Sequence, residues 1–437
     1  MTSATMLEES PIENPETPLS ERLTGLLRQA GAAAVVIALG AFLLRGWTGA
    51  NDILKFALLL ASTVGIGGIA VVVAKTLQET KGPRLLLSLA LGAIPINFAV
   101  LGAFLLHATQ LHAGAAIPDY LAWSIDGLAS AGLLAAISLV SLVPVMLFGF
   151  KTLARGISLP LSGVFLAGNL ALLVPLRDPW FVTVIAIVLG SVVLYVTTRA
   201  LRERLEARTL EGRVALMLQY LPLGILLGRS LWLYDAADIV MLAMSGLLFV
   251  LLRQVSLMFE ESSAVRGILN ACSIVPVYLS CGLMFGVVDS AGLDDGFMFF
   301  LPTLLGAGMI YELTRRDDRK AFRFIGLSLF VVGTTIAILV NNSFAFVAFA
   351  FAIGVLLLWL AFQNSQRALL YTGGYTLLTL AIHVAVQLIT TFDLGSWISL
   401  LIVGVAAIVI ASAIDAHGDR LQDVWQSKRR TLSAWDF

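Results

Sequence analysis

The chain has 437 residues, of which 59% are hydrophobic and only 13% are charged, and its mean hydropathy is +0.92. Soluble domains typically have about 25% charged residues, so this composition excludes an ordinary soluble fold and predicts an integral membrane protein. The 28 basic and 28 acidic residues cancel, and this balance gives no reason to expect a nucleic-acid partner.

The N-terminal segment, residues 1–18, is acidic and contains several prolines, whereas a cleavable signal peptide would carry basic charge. We therefore expect a cytoplasmic tail here. Ser20 is a suitable N-cap, and the leucines that follow at helical spacing predict a short interfacial helix before the first span. Residues 1–28 are accordingly assigned to an acidic tail with this interfacial helix.

The central part of the chain, residues 29–414, is a series of apolar segments separated by charged or turn-rich breaks. A membrane-spanning helix needs about 20 mostly apolar residues, so the series predicts an all-α, polytopic transmembrane bundle of about 14 spans. The predicted spans are 29–46, 53–74, 85–107, 126–150, 158–175, 179–198, 214–233, 237–258, 267–288, 297–313, 323–340, 344–362, 368–391 and 396–414.

The basic residues indicate the direction in which these spans cross, because Lys and Arg concentrate in cytoplasmic loops. With a cytoplasmic N-terminus, 24 of the 28 basic residues fall on the cytoplasmic side of the map. One span too many or too few would place many of these basic residues on the opposite side. The observed distribution therefore favours an even number of spans with both termini in the cytoplasm. Two compensating errors, giving about 12 or about 16 spans, would leave it intact. The exceptions are Arg45, Lys55, Arg177 and Arg229.

The C-terminal segment, residues 415–437, combines basic residues with apolar residues that are compatible with one helical face. One interpretation is a basic amphipathic helix on the anionic inner leaflet of the membrane. The other is a solvated tail whose charges only anchor the topology. The apolar residues are Leu421, Val424, Trp425, Leu432 and Trp435, and the basic cluster is Lys428–Arg430.

Asp, Glu, Lys and Arg are nearly absent from the predicted spans, and none of them lies at the centre of one. This argues against a carboxylate relay for protons or sodium ions. Cys272 and Cys281 lie nine residues apart in one span, so they cannot bond to each other on a helix, and we interpret them as packing residues. We assign no catalytic, metal-binding or cofactor-binding residue and expect no cofactor.

Neutral polar side chains occur in the third, ninth and thirteenth predicted spans, where they would be costly if they faced lipid without a partner. In one interpretation they form hydrogen bonds between packed helices. In the other they line a central cavity, which in the third span would adjoin the helix kink expected at Pro95. The predicted cavity residues are Asn97, Asn270, Tyr278, His383 and Gln387.

One arginine, Arg229, lies about one turn inside the outer end of the seventh span, and Asp235 and Asp238 follow just across the turn. Either Arg229 and Asp238 form a salt bridge that closes this helical hairpin, or the arginine snorkels to the surface. A third interpretation makes it an external gate or anion contact.

These features favour a permease or flippase-like transporter of a neutral, amphipathic or lipid-like substrate, because many proline-containing spans surround a polar but uncharged interior. The alternatives are a non-transporting scaffold or accessory subunit of a larger assembly, and a lipid-modifying enzyme, which we favour least. Expected partners are membrane lipids, a small-molecule or lipid substrate and, for the scaffold, other membrane subunits. The Ala- and Leu-rich composition and short loops favour the bacterial cytoplasmic (inner) membrane.

Overall fold

The structure, a computed structural model, contains only helical secondary-structure elements within the residues that it describes. This confirms the all-α class that the sequence predicts. The predicted fourteenth span, the acidic segment 1–18 and the C-terminal segment 415–437 lie outside the described residues. The described ranges are 19–44, 51–76, 81–109, 123–175, 178–233, 236–260, 262–315, 320–340, 343–364 and 366–391.

The helices are numbered here in chain order within the described ranges. They are α1 (Leu19–Leu44), α2 (Asp52–Thr76), α3 (Lys81–Thr109), α4 (Leu128–Leu153), α5 (Ser158–Leu173), α6 (Pro179–Glu203), α7 (Leu210–Leu218), α8 (Tyr220–Leu233), α9 (Asp238–Ser256), α10 (Ala264–Cys272), α11 (Ile274–Ser290), α12 (Asp295–Arg315), α13 (Lys320–Val340), α14 (Phe344–Asn364) and α15 (Arg367–Thr391). A first 3₁₀ turn (Arg155–Ile157) precedes α5, and a second 3₁₀ turn (Leu205–Arg208) precedes α7.

Eleven helical segments in the described part of the chain are long and apolar enough to cross a membrane. Two shorter apolar segments, Leu23–Ala38 and Ile325–Val340, lie in α1 and α13. These segments indicate a multi-pass integral membrane protein, while the total of about 14 spans and the cytoplasmic location of both termini stay predictions. α1 is continuous from Leu19 to Leu44, and the N-cap at Ser20 with a separate interfacial helix stays a prediction.

The chain forms two compact units, residues 1–228 and 229–437, and the division falls within α8. In the first unit α3 contacts α1, α2, α4, α5 and α7. The C-terminal part of α3 packs against α2 and the segment before α4, where Phe104 meets Phe56 edge to face at 5.7 Å and Trp123 at 5.8 Å. Gly102 brings the α3 backbone so close to α5 that a Cβ there would overlap the carbonyl oxygen of Leu172. A small residue thus permits a close approach of α3 and α5.

In the second unit successive helices are neighbours: α9 contacts α10 and α11, α11 contacts α12, and α12 contacts α13. The helices α13, α14 and α15 complete this unit, with α15 contacting both of the others. An aromatic cluster fixes α12, α13 and α14 against one another, with ring centroids 5.4–5.9 Å apart. Its rings belong to Phe297, Phe300, Phe330, Phe346 and Phe349.

Candidate functional site: two interrupted spans

The membrane-length segment from Leu210 to Arg229 is interrupted at one residue, Gln219, which forms a turn between α7 and α8 while its backbone stays in the helical region, at φ −61° and ψ −26°. Pro222 explains the interruption. Proline has no N–H for the carbonyl of the residue four positions earlier, which here is Leu218, and its ring clashes with that carbonyl. Because α7 has nine residues, the interruption lies about 14 Å from its start, and this length is roughly half of a hydrocarbon core of about 30 Å.

The segment from Ala264 to Ser290 is interrupted in the same way, because Ser273 separates α10 from α11 and Pro276 is the third residue of α11. α10 also has nine residues. Each interrupted span therefore has a nine-residue half-helix, one polar residue, and a second helix with proline at its third position. The spacing was visible in the sequence: the prolines lie 13 residues after Thr209 and Ser263 respectively.

Neutral polar side chains surround the first interruption. The Gln219 side chain is 2% exposed, and its Nε2 donates to the carbonyl of Ala215 at 3.4 Å. Its Oε1 has no hydrogen-bond partner among the described residues. The next residue, Tyr220, shares a hydrogen bond of 3.0 Å with Thr197 of α6, and both hydroxyls are buried. The interruption thus leaves a buried amide acceptor free for a donor group.

Hydroxyl groups connect the second interruption to α9. Ser280 donates to Ser245 at 2.9 Å, and Ser245 donates to the carbonyl of Pro276 at 3.0 Å. Ser273, at the interruption itself, bonds back to the carbonyl of Leu269 at 2.8 Å. All three serines are buried. This second interruption therefore also combines backbone discontinuity with uncharged hydrogen-bonding groups.

A buried arginine, Arg253, holds the neighbouring part of the second unit together. It is 4% exposed, and its guanidinium donates to Asn270 Oδ1 at 3.2 Å and to the carbonyl of Glu312 at 3.1 Å. Since these acceptors lie in α10 and α12, one side chain from α9 joins three helices. Sequence reasoning treated Arg253 as a topology-determining charge, although its position five residues inside the predicted span 237–258 was a signal.

The predicted cavity residue Asn97 lies in the first unit, where it is fully buried. Its Nδ2 donates to Thr63 Oγ1 of α2 at 2.9 Å and to the carbonyl of Ala93 at 3.0 Å. Beside it, α3 passes through Pro95 as one continuous helix, and the kink expected there stays a prediction. Asn97 Oδ1 has no partner within the described residues.

The other four predicted cavity residues lie in the second unit. Asn270 is buried and accepts from Arg253, whereas Tyr278 is 75% exposed. His383 and Gln387 are partly buried, and their Nε2 atoms lie 3.0 Å apart along one face of α15. That these residues and Asn97 line one cavity stays a prediction.

The predicted hairpin residues Arg229 and Asp238 lie in α8 and at the first position of α9. The carboxylate of Asp238 lies against Gly286 of α11, where a Cβ would overlap it. Asp235 is outside the described residues. The salt bridge and the external gate both stay predictions.

No protein-family model matches the chain, and no match is found among curated proteins or solved structures. Function therefore has to be inferred from the helices and side chains themselves.

Proposed function

We propose that the protein is a transporter that moves a neutral, amphipathic or lipid-like substrate across the membrane. The observation that carries this proposal is the pair of interrupted spans with identical construction. Proline at such a turn removes one backbone N–H, so a carbonyl inside the bilayer loses its helical partner, and this is tolerated only where protein or a substrate path surrounds it. In many secondary transporters, discontinuous helices form the substrate site near the middle of the membrane.

The chemistry of the two interruptions supports an uncharged substrate. No charged residue occurs between positions 214 and 228 or between positions 267 and 288. The groups that remain are an amide at Gln219 and hydroxyls at Tyr220, Ser245 and Ser280, set among apolar side chains. Such groups hydrogen-bond to hydroxyls, amides and esters, while burying an unpaired charge among them would be costly. A lipid-like molecule with an uncharged polar part fits this combination.

Reconstitution into vesicles tests the proposal. Vesicles of phosphatidylcholine would carry a trace of a glucosylceramide, whose sugar headgroup is uncharged, with a fluorescent acyl chain, and dithionite added outside would quench only the outer leaflet. We expect the protein to raise the quenched fraction from about half toward completion, as lipid reaches the outer leaflet. The variants Gln219→Leu and Ser245→Ala should slow translocation about 10-fold each, which corresponds to roughly 1.4 kcal/mol in the transition state.

A matched control is Ser191→Ala in α6, because this exposed serine bonds only to its own helix at Ile187. It should translocate lipid like the wild type. Folded wild-type protein that quenches no more than protein-free vesicles would contradict lipid translocation. That outcome would favour the scaffold alternative, which co-purification of other membrane subunits would then support.

A further inference from the structure

Two connections of the first unit meet at one end of its helices. The backbone N–H of Gly156 in the first 3₁₀ turn donates to Glu206 Oε2 in the second 3₁₀ turn at 2.6 Å. Arg208 fixes the second turn to the end of α6, since it donates to the carbonyls of Leu201 at 3.0 Å and Arg202 at 3.4 Å. The two turns therefore form one continuous surface, which we call the turn platform.

The acidic side chains at this end of the unit are already engaged. Glu211 pairs with Arg84 at 2.7 Å, and Glu203 pairs with Arg199 at 3.0 Å. Glu206 accepts from the backbone N–H of the first turn, as described above. Glu203 and Glu211 are therefore neutralised by their own arginines, while Glu206 keeps its negative charge, because a backbone N–H is uncharged.

Besides Arg208, five cations on and beside the turn platform have no ion-pair partner among the described residues. Four of them are exposed and the fifth, Arg213, is half-buried. Lys151 lies in the last turn of α4, and Arg202 lies in the last turn of α6. Arg155 begins the first 3₁₀ turn, and Arg204 directly precedes the second. The turn platform therefore carries an excess of positive charge that its own fold does not use.

Exposed leucines lie among these cations. Leu159, Leu205 and Leu210 are 77%, 81% and 76% exposed. Leu205 directly follows Arg204, and Leu159 is in the first turn of α5, next to the first 3₁₀ turn. Cations that hold a phosphate group, beside apolar side chains that contact acyl chains, match both parts of a phospholipid. A soluble anion or a nucleic acid would use the cations and leave the leucines in water.

We propose that the turn platform is a binding site for the headgroups of anionic phospholipids. The cations Lys151, Arg155, Arg202 and Arg204 attract the lipid phosphate, and the exposed leucines enter the adjoining leaflet. This site does not depend on the transport proposal, because a scaffold would bind the same lipids through the same side chains.

Native mass spectrometry of the purified full chain tests the site, in detergent with an equimolar mixture of phosphatidylglycerol and phosphatidylcholine. We expect phosphatidylglycerol adducts to exceed phosphatidylcholine adducts about fivefold, because only the former has net negative charge. In the variant Lys151→Gln/Arg155→Gln/Arg202→Gln/Arg204→Gln this preference should fall to about one, with phosphatidylcholine binding unchanged.

The control is Lys55→Gln, which removes a cation at the opposite end of the unit. Lys55 is paired with Asp52 at 2.8 Å, so the control should keep the wild-type preference. Equal binding of the two lipids by the wild type, or an unchanged preference in the fourfold variant, would overturn the proposal.

Two measurements on the wild type decide the matter even if the fourfold variant does not fold. Raising the salt concentration from 50 to 500 mM should remove most of the preference, because the screening length shortens to about 4 Å. Glycerophosphoglycerol, the headgroup without acyl chains, should not displace the lipid at 10 mM. Displacement by this soluble headgroup, or a preference that survives high salt, would show that the platform is not a phospholipid site.

Discussion

Arg253 is a guanidinium in an apolar bundle, where a charge is costly unless its donors are satisfied. Its hydrogen bonds to Asn270 and to the carbonyl of Glu312 meet this requirement and join α9 to α10 and α12. A third donor contact, at 3.5 Å, reaches Ser256 in the last turn of its own helix. The geometry makes Arg253 a residue that holds helices together.

Replacing this arginine with a side chain of similar length should therefore destabilise the protein. In Arg253→Met, Asn270 Oδ1 and the Glu312 carbonyl lose a charged donor, which should cost about 3 kcal/mol. We expect a lower thermal unfolding midpoint in detergent, measured by intrinsic fluorescence. Arg253→Lys should not restore it, because an ammonium has no forked pair of donors.

The double variant Arg253→Met/Asn270→Leu should recover part of the loss, because the orphaned amide is also removed. Arg199→Met is the control, since Arg199 is exposed and pairs with Glu203 on one helix face. Such surface pairs contribute little to stability, so the control should unfold like the wild type. An unfolding midpoint that is unchanged in Arg253→Met would contradict the role assigned here.

At the scale of the helices, the contact between α3 and α5 depends on one glycine. Gly102→Ala would place a methyl group on the carbonyl oxygen of Leu172, a backbone atom that cannot rotate away. Overpacking of this kind typically costs about 1–3 kcal/mol. We expect a corresponding loss of thermal stability in detergent.

Gly132→Ala in α4 is the matched control, because no atom lies within 4 Å of a Cβ at that position. Alanine has a higher helix propensity than glycine, so the control should be neutral or stabilised by up to about 1 kcal/mol. Equal effects of the two substitutions would show that α3 and α5 do not approach as closely as described.

The sequence predicts the helices well and their interruptions poorly, for a physical reason. An apolar run of about 20 residues has few alternatives to a helix in a bilayer, and α2, α6 and α14 fall where such runs occur. Proline does not decide interruption alone, because Pro144 and Pro302 lie inside unbroken helices while Pro222 and Pro276 follow breaks. Whether the helix is interrupted depends on which neighbouring helices supply hydrogen-bond donors to the carbonyl groups that proline leaves without a partner.

The polar residues of the candidate site could also be identified from sequence, but the directions in which they point could not. Pro276 and Tyr278 are two residues apart, which is about 200° around a helix. One is buried and the other exposed. Rotation of a helix about its axis is set by packing against its neighbours. Which helices are neighbours cannot be predicted from a single sequence. Asn270 illustrates this: its partner, Arg253, is 17 residues away.

At the scale of the whole molecule, side-chain contacts show which loops of the first unit lie at the same end of its helices. Arg84 pairs with Glu211, which brings the starts of α3 and α7 to one end. The carboxylate of Asp52 accepts from the backbone and hydroxyl of Ser124, which brings the start of α2 and the segment before α4 to the other. This alternation agrees with the order of the predicted spans. It does not depend on which end faces the cytoplasm.

The basic residues predict the direction in which the spans cross, and labelling tests that prediction. In a background with Cys272→Ala and Cys281→Ala, a membrane-impermeant maleimide should label Ser124→Cys in intact cells. It should label Arg204→Cys only after permeabilisation, because the turn platform has the basic residues that mark a cytoplasmic end. Labelling of Arg204→Cys from outside would invert the orientation of the first unit.

Reporter fusions extend this test to the whole chain, because each fusion reports the parity of all the spans before it. Fusions after residues 28, 210, 320 and 430 should report the cytoplasm, and fusions near 115 and 292 should report the outside, as the placement of 24 of the 28 basic residues predicts. An external reading at 210 or 320 would overturn the map up to that point. A cytoplasmic reading at 320 with an external reading at 430 would instead mean an odd number of spans between them, so that the two termini lie on opposite sides of the membrane.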